Sequence, residues 1–205
     1  MIKLGITGSV GMGKSVIAAM LETLGVPVHD SDKAAHQALS SKGKAFEIVA
    51  VTFPECWDKK NHVIRRDVLG DIVFADDDKR KELESLIHPA VWDSQNDFIK
   101  KHKRLGQKIV AFDIPLLFET GAEKRMDYTV LADAPYEIQR QRVLQRPLMD
   151  EEKFLSIVNS QMPNEQKAAL ADFVIPTGLG RAHTMRVLKD VLKEIKMRKT
   201  VKNYA

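Results

Sequence analysis

Short apolar runs alternate along the chain with longer segments in which apolar residues recur at helical spacing. The run IKLGIT at residues 2–7 predicts a buried strand, and KSVIAAMLETL at 14–24 predicts a helix that ends at Gly25. VPVHD at 26–30 predicts a second short strand. The opening segment is therefore predicted to fold as strand, loop, helix and strand, which is a βαβ unit.

Three later apolar runs predict further strands, at residues 107–113, 127–134 and 171–177. The predicted helices cover residues 32–40, 43–53, 65–75, 78–106, 135–146, 151–161, 164–171 and 180–199. Turn residues at 54–64 predict a loop, and Pro89 is expected to bend the long helix around it. Because strands alternate with helices, the pattern predicts an α/β fold with a parallel sheet covered on both faces.

Length and composition narrow the class of protein. The chain has 205 residues and is expected to form one domain, in which the helical stretch at about 35–106 is an insertion. The net charge of +4 suits an anionic ligand but is too small to indicate nucleic acid. No apolar stretch is long enough for a membrane span, and no signal peptide is recognised. The sequence has a single cysteine, Cys56, which favours a reducing compartment, so a cytoplasmic protein is expected. Cys56 is expected to be a small apolar side chain that fills space in the core, with a catalytic nucleophile as the alternative.

The segment GSVGMGKS at residues 8–15 matches the phosphate-loop pattern G-x-x-x-x-G-K-[ST]. Glycines let backbone N–H groups converge on phosphate oxygens, and the N-terminus of the following helix favours the same anion. Lys14 is expected to bridge the β- and γ-phosphates of a nucleoside triphosphate, and the Ser15 hydroxyl to hold Mg²⁺. The residues expected to bind the nucleotide are Gly8, Gly11, Met12, Gly13, Lys14, Ser15 and Val16. The alternative is a glycine turn with an exposed lysine, but the match lies between a predicted strand and a predicted helix.

A phosphate loop indicates nucleotide binding and leaves the reaction open. The base-reading motif of Ras-type GTPases, N/T-K-x-D, is absent from the sequence. The strand QKIVAFD ends in Asp113, whose carboxylate is placed to reach Mg²⁺ directly or through water. The alternative for Asp113 is a strand-end cap.

A candidate acceptor site follows the second strand, in VHDSDKAAH at residues 28–36. Ligands of open α/β sheets bind beyond the carboxyl ends of the strands. Asp30 and Asp32 lie there, and either could orient an attacking hydroxyl or accept its proton. Since the two cannot point the same way, one is expected to face the site and the other to cap the next helix. With His29 and His36 they also resemble a metal cluster, although the spacing fits no strong zinc pattern.

The helix EIQRQRVLQR carries Arg142 and Arg146 four residues apart, on one face, with Arg140 pointing elsewhere. Guanidinium groups suit the charge of a phosphoryl group in its transition state. A solvated basic helix face is the alternative, and the nearby phosphate loop favours the functional interpretation.

Several segments together resemble the dephospho-coenzyme A kinase family. They are TGSVGMGKS, LGVPVHDSDKAAH, RRDVLGDIVF, LESLIHP, IPLLFETG, IQRQRVLQR, Gln161 and ADFVI, in the order of the family and over nearly the whole chain. The resemblance implies that ATP and Mg²⁺ phosphorylate the ribose 3′-hydroxyl of dephospho-coenzyme A to give coenzyme A and ADP. It implies a P-loop nucleoside-kinase fold of three α/β/α layers with a five-stranded parallel sheet. Its parts are a core at about 1–34, 107–135 and 171–205, a helical acceptor-binding part at about 35–106 and a lid at about 136–170.

The resemblance also implies roles for individual residues. Asp32 corresponds to the second acid of the family's D-x-D and is the expected catalytic base. Arg66 and His88 match positions that line the acceptor region, and the segment 116–119, which includes Leu117 and Glu119, lies beside it. Arg142, expected to be catalytic, and Arg146, expected to bind ATP, belong to the lid. The sequence departs from the family pattern at three positions, which are Arg65, Ile157 and Thr177.

Two other functions stay open. A nucleoside monophosphate kinase would share the loop, but its phosphate acceptor requires arginines rather than a base. A nucleotide-binding regulator could contact nucleic acid through the basic stretch at residues 193–205, although basic residues at a helix end are also favoured by the helix dipole. The expected partner is therefore a small molecule, without nucleic acid or membrane, and the expected state is a monomer or weak homo-oligomer.

Overall fold

The structure is a computed structural model that describes residues 1–202, with side chains described through residue 198. The end of the basic stretch at residues 193–205 therefore lies outside the described residues. Contacts divide the chain into two compact units: residues 1–29 with the chain from 102 onward, and Asp30–Lys101. Whether the two units make up one domain remains a prediction.

The helices and strands follow the predicted order closely. They are β1 (Ile2–Thr7), α1 (Lys14–Thr23), β2 (Val28–Asp30), α2 (Ser31–Ala38), α3 (Phe46–Thr52), β3 (Trp57–Asp58), β4 (Val63–Ile64), α4 (Arg66–Ala75), α5 (Asp77–Arg104), β5 (Ile109–Asp113), β6 (Tyr128–Asp133), α6 (Tyr136–Leu144), α7 (Glu151–Asn159), α8 (Asn164–Leu170), β7 (Phe173–Pro176) and α9 (Arg181–Lys202). Short 3₁₀ turns occupy Pro54–Cys56 and Ala122–Arg125. The long helix α5 is one continuous helix that includes Pro89.

The prediction of a loop at residues 54–64 is wrong at its two ends. Strands β3 and β4 pair there as an antiparallel ribbon, with Trp57 opposite Ile64. The turn between them is held by Asp58, whose carboxylate accepts the N–H groups of Lys60 and Asn61 at 3.0 and 3.1 Å. Strands of two residues are too short to show an alternating pattern, which explains why the sequence did not predict them.

Five strands form a sheet in the order β2-β5-β1-β6-β7. The neighbours of β1 run parallel to it, with Ile6 opposite both Asp113 of β5 and Val130 of β6, and β7 runs parallel to β6. The predicted five-stranded parallel sheet is confirmed. Because β1 is the central strand, its carboxyl end delivers the segment after Thr7 to the middle of the sheet edge, where ligands of this fold class bind.

The core of the sheet unit fixes α1 against the sheet. Leu4 and Ile6 of β1, Ile17 and Leu21 of α1, and Leu188 of α9 are completely buried. Burial of one such side chain stabilises the fold by about 1.5–3 kcal/mol. The start of α1 is therefore held at the carboxyl end of β1 by packing of α1 against β1 and α9.

The second unit has a hydrophobic core of its own. Its buried residues come from α2 to α5 and the turn before β3, among them Phe46, Val49, Phe53, Cys56, Leu69, Ile87 and Val91. Cys56 has no exposed surface, its thiol donates to the carbonyl oxygen of Phe53 at 3.0 Å, and burial raises its pKa. A buried thiol that resists ionisation is a poor nucleophile, so the structure favours the filler role for Cys56.

Over the residues that the structure describes, no helix combines the length and apolar character required to cross a membrane.

Candidate active site

The segment at residues 8–15 joins the end of β1 to the start of α1 in a tight loop. Gly11 and Gly13 have φ angles of 76° and 91°, in the left-handed region that favours glycine. A Cβ on Gly13 would lie 2.7 Å from the Thr177 hydroxyl oxygen, and a Cβ on Gly11 would lie 2.7 Å from a methyl group of Val143. Both glycines are thus required by backbone angle and by close approach. Within the described chain no side chain caps α1, so the first-turn N–H groups of this helix suit an anion.

Lys14 and Asp113 meet beside this loop. The Lys14 ammonium donates a hydrogen bond to the Asp113 carboxylate, and the two side chains are only 17% and 14% exposed. Ser15 follows Lys14 in the first turn of α1. The loop lysine, the hydroxyl and the strand-end carboxylate, which the sequence assigned to phosphate and magnesium, therefore lie in one unit at one edge of the sheet.

Two glutamine side chains hold the peptide groups of Val10 in this loop. The Gln139 side-chain amide of α6 donates to the Val10 carbonyl oxygen at 2.8 Å. The Val10 N–H donates to Oε1 of Gln161 at 3.0 Å. Gln161 was recognised only as part of the family resemblance, and Gln139 was not predicted to have a role. The three-residue spacing of Gln139 and Arg142, which places both on one face of α6, was the available signal.

Asn164 connects the loop to the end of β6. Its Oδ1 accepts from the Ser9 hydroxyl at 3.3 Å and from the Ser9 N–H at 3.5 Å. Its amide nitrogen donates to Asp133 at 2.5 Å. Asn164 and Asp133 were not predicted, because a single asparagine at the start of α8 and a single aspartate at the end of β6 form no recognisable motif.

Arg142 lies against the carbonyl side of the loop. Its guanidinium donates to the Gly11 carbonyl oxygen at 3.2 Å and to Thr177 at two atoms, the hydroxyl at 3.0 Å and the carbonyl at 2.8 Å. The Thr177 hydroxyl in turn donates to the Met12 carbonyl oxygen at 2.7 Å. The structure thus places Arg142 in direct contact with the loop, and Thr177, a departure from the family pattern, takes part in the same network.

The other two arginines of this region lie elsewhere. Arg146 is exposed just beyond the end of α6. Arg140 donates two hydrogen bonds to Glu151, at 2.8 and 2.5 Å, and so joins α6 to α7. The pair raises the pKa of Arg140 and lowers the pKa of Glu151, mainly through these hydrogen bonds.

The residues predicted at 116–119 have two different environments. Leu117 is completely buried and packs beside Gly5 of β1. The Glu119 carboxylate accepts the Met162 N–H at 3.1 Å and lies 2.8 Å from the ammonium of Lys167, which has no exposed surface. Glu119 thereby anchors the segment that carries Gln161.

In the second unit the structure distinguishes the two acids that follow β2. Asp30 is the N-cap of α2, because its carboxylate accepts the Lys33 N–H at 2.8 Å. Asp32 lies in the first turn of the same helix and is exposed. Of the two predicted roles, the cap therefore belongs to Asp30.

The remaining predicted residues of this unit lie on two helices. Arg66 is the first residue of α4 and is exposed. His88 of α5 stacks on Trp92, with ring centroids 5.8 Å apart and planes 23° apart. The alternative of a metal cluster at residues 29–36 gains no support: among the described residues, no group of three His, Cys, Asp or Glu side chains could hold a metal ion.

Comparison with known proteins gives a consistent result across the whole chain. The family model that describes dephospho-CoA kinase matches residues 2–179. The dephospho-CoA kinase of Mesorhizobium japonicum is 44% identical over 196 residues, which cover 96% of this chain and 98% of the relative. The enzyme of the same name from Novosphingobium aromaticivorans is 42% identical over 94% of both chains.

Solved structures give the same likeness in three dimensions. A protein of Thermus thermophilus superposes with a TM-score of 0.82 at 36% identity, over 94% of this chain and 97% of its own. The dephospho-CoA kinase of Campylobacter jejuni superposes with a TM-score of 0.69 at 27% identity, over 96% of this chain and 98% of its own.

Proposed function

The chain belongs to the dephospho-CoA kinase family, which catalyses the last step of coenzyme A biosynthesis, and we propose that it does so with the loop at residues 8–15 and Asp32. In this reaction the γ-phosphoryl group of ATP passes to the ribose 3′-hydroxyl of dephospho-coenzyme A. The observation that carries the proposal for the donor site is the convergence of three features in the sheet unit: the glycine loop, the uncapped start of α1 and the Lys14–Asp113 pair.

The donor half of the proposal follows from charge. We propose that the triphosphate oxygens bind to backbone N–H groups of the loop and of the first turn of α1, among the predicted residues Gly8, Gly11, Met12, Gly13, Lys14, Ser15 and Val16. Lys14 exchanges Asp113 for the β- and γ-phosphate oxygens and compensates the charge that develops on them. Arg142, fixed on Gly11 and Thr177, adds a positive charge beside the loop, and Arg146 is proposed to contact ATP from the end of α6.

The residues fit a magnesium ion. Ser15 supplies a hydroxyl and Asp113 a carboxylate, both oxygen ligands of the kind that Mg²⁺ prefers, and few protein ligands suffice because this ion keeps several waters. When bound, magnesium neutralises phosphate charge and orients the γ-phosphoryl group.

The acceptor half rests on Asp32. We propose that its carboxylate accepts the proton of the 3′-hydroxyl while the hydroxyl oxygen forms the new bond to phosphorus and the bond from phosphorus to the ADP oxygen breaks. Asp30 is engaged as a helix cap, and Asp32, exposed in the first turn of α2, corresponds to the second acid of the family's D-x-D. Arg66 and His88 are proposed to bind the acceptor, whose pyrophosphate suits a guanidinium group. Leu117 and Glu119 are also proposed to line the acceptor site; in this structure Leu117 is a core residue and Glu119 is paired with Lys167.

Further parts of the proposal concern organisation. We propose one kinase domain with a helical acceptor-binding part at about 35–106 and a lid at about 136–170 that excludes water during transfer. A cytoplasmic monomer or weak homo-oligomer fits a chain whose single cysteine is a buried thiol.

A kinase assay with a panel of acceptors tests the function. The purified chain is incubated with ATP, Mg²⁺ and either dephospho-coenzyme A, AMP, CMP, UMP or no acceptor, and ADP release and product mass are measured. We expect ADP release only with dephospho-coenzyme A, and a product heavier by one phosphoryl group. Turnover of a monophosphate would instead support the nucleoside monophosphate kinase, and salt-sensitive binding of DNA or RNA without any kinase activity would support the regulator.

A further inference from the structure

The peptide groups on both sides of Val10 are each held by a glutamine side chain from a different part of the chain. Gln139 lies on α6, and Gln161 lies between α7 and α8. We propose that Gln139 and Gln161 are positioning residues that set the phosphate loop for ATP by fixing these two peptide planes. The inference rests on the proposed function, since the shape of the loop matters only if the loop binds the triphosphate.

The direction of each hydrogen bond is set by the chemistry of the backbone. The Val10 N–H can only donate, so Gln161 must present its carbonyl oxygen to it. The Val10 carbonyl can only accept, so Gln139 must present its amide nitrogen. The two glutamines therefore have opposite roles, one as acceptor and one as donor, although their side chains are identical.

Fixing the Val10 carbonyl also fixes the next N–H group of the loop. The Val10 carbonyl and the Gly11 N–H belong to one planar trans peptide, in which they point in opposite directions. Since Gln139 draws the carbonyl toward α6, the Gly11 N–H must point away from that helix. Gly11 alone would not hold this orientation, because glycine crosses easily between backbone conformations.

The two carbonyls that follow are held from the same side. Arg142 binds the Gly11 carbonyl, and the Thr177 hydroxyl binds the Met12 carbonyl. Three consecutive carbonyls, from Val10 to Met12, thus have side-chain donors from α6 and from the end of β7. These three carbonyl oxygens face protein donors, and the N–H groups of Ser9 and Val10 are held by Asn164 and Gln161. The Gly11 N–H, which points away from the carbonyl held by Gln139, is thereby oriented for an anion, as phosphate binding requires.

Both glutamines are themselves firmly placed. Gln139 is 3% exposed, so water cannot replace its hydrogen bond. The residue after Gln161 is tied down, because the Met162 N–H donates to Glu119, which also pairs with the buried Lys167.

Substitution of each glutamine by glutamate separates the two roles. Glutamate keeps an acceptor oxygen and loses the amide donor, so Gln161→Glu retains its hydrogen bond while Gln139→Glu places an oxygen against a carbonyl oxygen. Both variants add the same negative charge near Val10, so each controls for the charge of the other. Gln139→Met and Gln161→Met remove both the amide donor and the carbonyl acceptor and replace the side chain with one of similar volume. Gln141→Glu and Gln166→Glu, at exposed positions on α6 and α8, are the matched surface controls.

The measurements are KM for ATP, KM for dephospho-coenzyme A, the Kd for ADP by calorimetry and the melting temperature. We expect the KM for ATP and the Kd for ADP to rise about tenfold in Gln139→Glu, Gln139→Met and Gln161→Met, as for a lost buried hydrogen bond. In Gln161→Glu the KM for ATP and the Kd for ADP are expected to stay within about threefold of their values in the unchanged chain. The KM for dephospho-coenzyme A is expected to stay within about twofold of its unchanged value in every variant.

Equal losses in Gln161→Glu and Gln139→Glu would overturn the proposal, as would equal rises in both KM values or unchanged ATP binding in all four variants. If the variants at the buried Gln139 do not fold, the comparison of Gln161→Glu with Gln161→Met decides. A chain that binds ADP but does not phosphorylate dephospho-coenzyme A would refute the proposed reaction, whereas the Kd values for ADP would still test the role of the glutamines.

Discussion

The ammonium of Lys14, the first residue of α1, donates a hydrogen bond to the carboxylate of Asp113, the last residue of β5. The sequence assigned these two groups to different ligands, the lysine to phosphate and the carboxylate to magnesium. Their pairing means that each charge compensates the other in a site where both are largely buried. An ammonium has three N–H donors, so Lys14 can turn one to a phosphate oxygen either while it keeps Asp113 or in exchange for it.

This pairing predicts opposite effects of Asp113→Asn with and without magnesium. Loss of the carboxylate releases Lys14, so ADP binding measured in EDTA should be unchanged or up to about tenfold tighter. If Asp113 holds Mg²⁺ as proposed, its loss should lower kcat with Mg²⁺ at least about tenfold and raise the Mg²⁺ concentration required for half-maximal activity.

Calorimetry and a magnesium titration of turnover check the two effects, with Asp190→Asn, an exposed acid on α9, as the control for charge. A variant with normal kcat and normal Mg²⁺ dependence would show that Asp113 is only a partner of Lys14.

The two acids after β2 give a matched pair for the acceptor site. Asp32→Asn should keep ADP binding and lose turnover about a hundredfold or more, because a general base contributes that much. Asp30→Asn should keep nearly normal turnover, since asparagine also caps helices and Asp30 caps α2. Steady-state turnover and ADP titration of both variants make the comparison. The reverse result, with Asp30→Asn inactive and Asp32→Asn active, would assign the base to Asp30.

Strands and the phosphate loop could be predicted because their signals are contiguous in the sequence. The run IKLGIT predicted β1 to the residue, and the glycine pattern placed the loop before Lys14. The residue pattern alone could not decide which of Asp30 and Asp32 caps α2, because aspartate serves equally well at either position. The hydrogen bond from the Lys33 N–H assigns the cap to Asp30, and the role of Asp32 as base stays a prediction from the family resemblance.

The hydrogen bonds that hold the loop could not be predicted from the sequence for a different reason, although Arg142 and Gln161 were singled out there. The hydrogen bond from Gln139 to Val10 spans 129 positions, and that from Val10 to Gln161 spans 151. No periodicity or motif links residues so far apart, and only the order of strands in the sheet brings α6 and β7 to the loop. Thr177, which the sequence marked only as a departure from the family pattern, holds a carbonyl of the loop.

The pairing of Glu119 with the buried Lys167 predicts that a single substitution lowers the free energy of unfolding far more than a double substitution does. Lys167 has no exposed surface, and among the described residues its ammonium has the Glu119 charge nearby but no well-directed hydrogen bond. Glu119→Gln should therefore lower the free energy of unfolding by about 3 kcal/mol, because it leaves a buried charge without compensation. Glu119→Gln combined with Lys167→Met should recover most of this loss.

Urea unfolding of the single and double variants gives the comparison. The same variants test the implied contact with substrate: a raised KM for dephospho-coenzyme A in the recovered double variant would support a direct role for Glu119. Equal stability of all the variants would mean that the pair contributes nothing to the fold.

Cys56 should be protected from thiol reagents in the folded chain. Burial raises its pKa, so at a given pH less thiolate is present than for an ordinary cysteine, and the side chain has no exposed surface. With a chromogenic disulfide reagent at pH 8 we expect no release of colour from the native chain and one equivalent after denaturation, as the sequence has one cysteine. Rapid labelling of the native chain, with loss of activity that ATP prevents, would restore the nucleophile alternative.

The pair of Arg140 and Glu151 should make stability depend on pH in the acid range. The hydrogen bonds from Arg140 lower the pKa of Glu151 in the folded chain below its ordinary value of 4.5. A carboxyl group whose pKa is lower in the folded state stabilises the fold at pH values above its unfolded pKa. That contribution is lost as the pH falls from about 5 through the lowered pKa, while Arg140 stays protonated throughout.

Urea unfolding at several pH values between 7 and 3 provides the test, with Glu151→Gln compared against Glu152→Gln. Glu152 lies beside Glu151 in the first turn of α7 and is exposed, so both share the favourable helix dipole but only Glu151 pairs with Arg140. The difference in free energy of unfolding between the unchanged chain and Glu151→Gln should shrink as the pH falls. It should also shrink at neutral pH in high salt, because the side chains of Arg140 and Glu151 are nearly half exposed and salt screens their attraction. The same pH profile in Glu152→Gln would attribute the effect to the helix end rather than to Arg140, and would remove this ion pair as the link between α6 and α7.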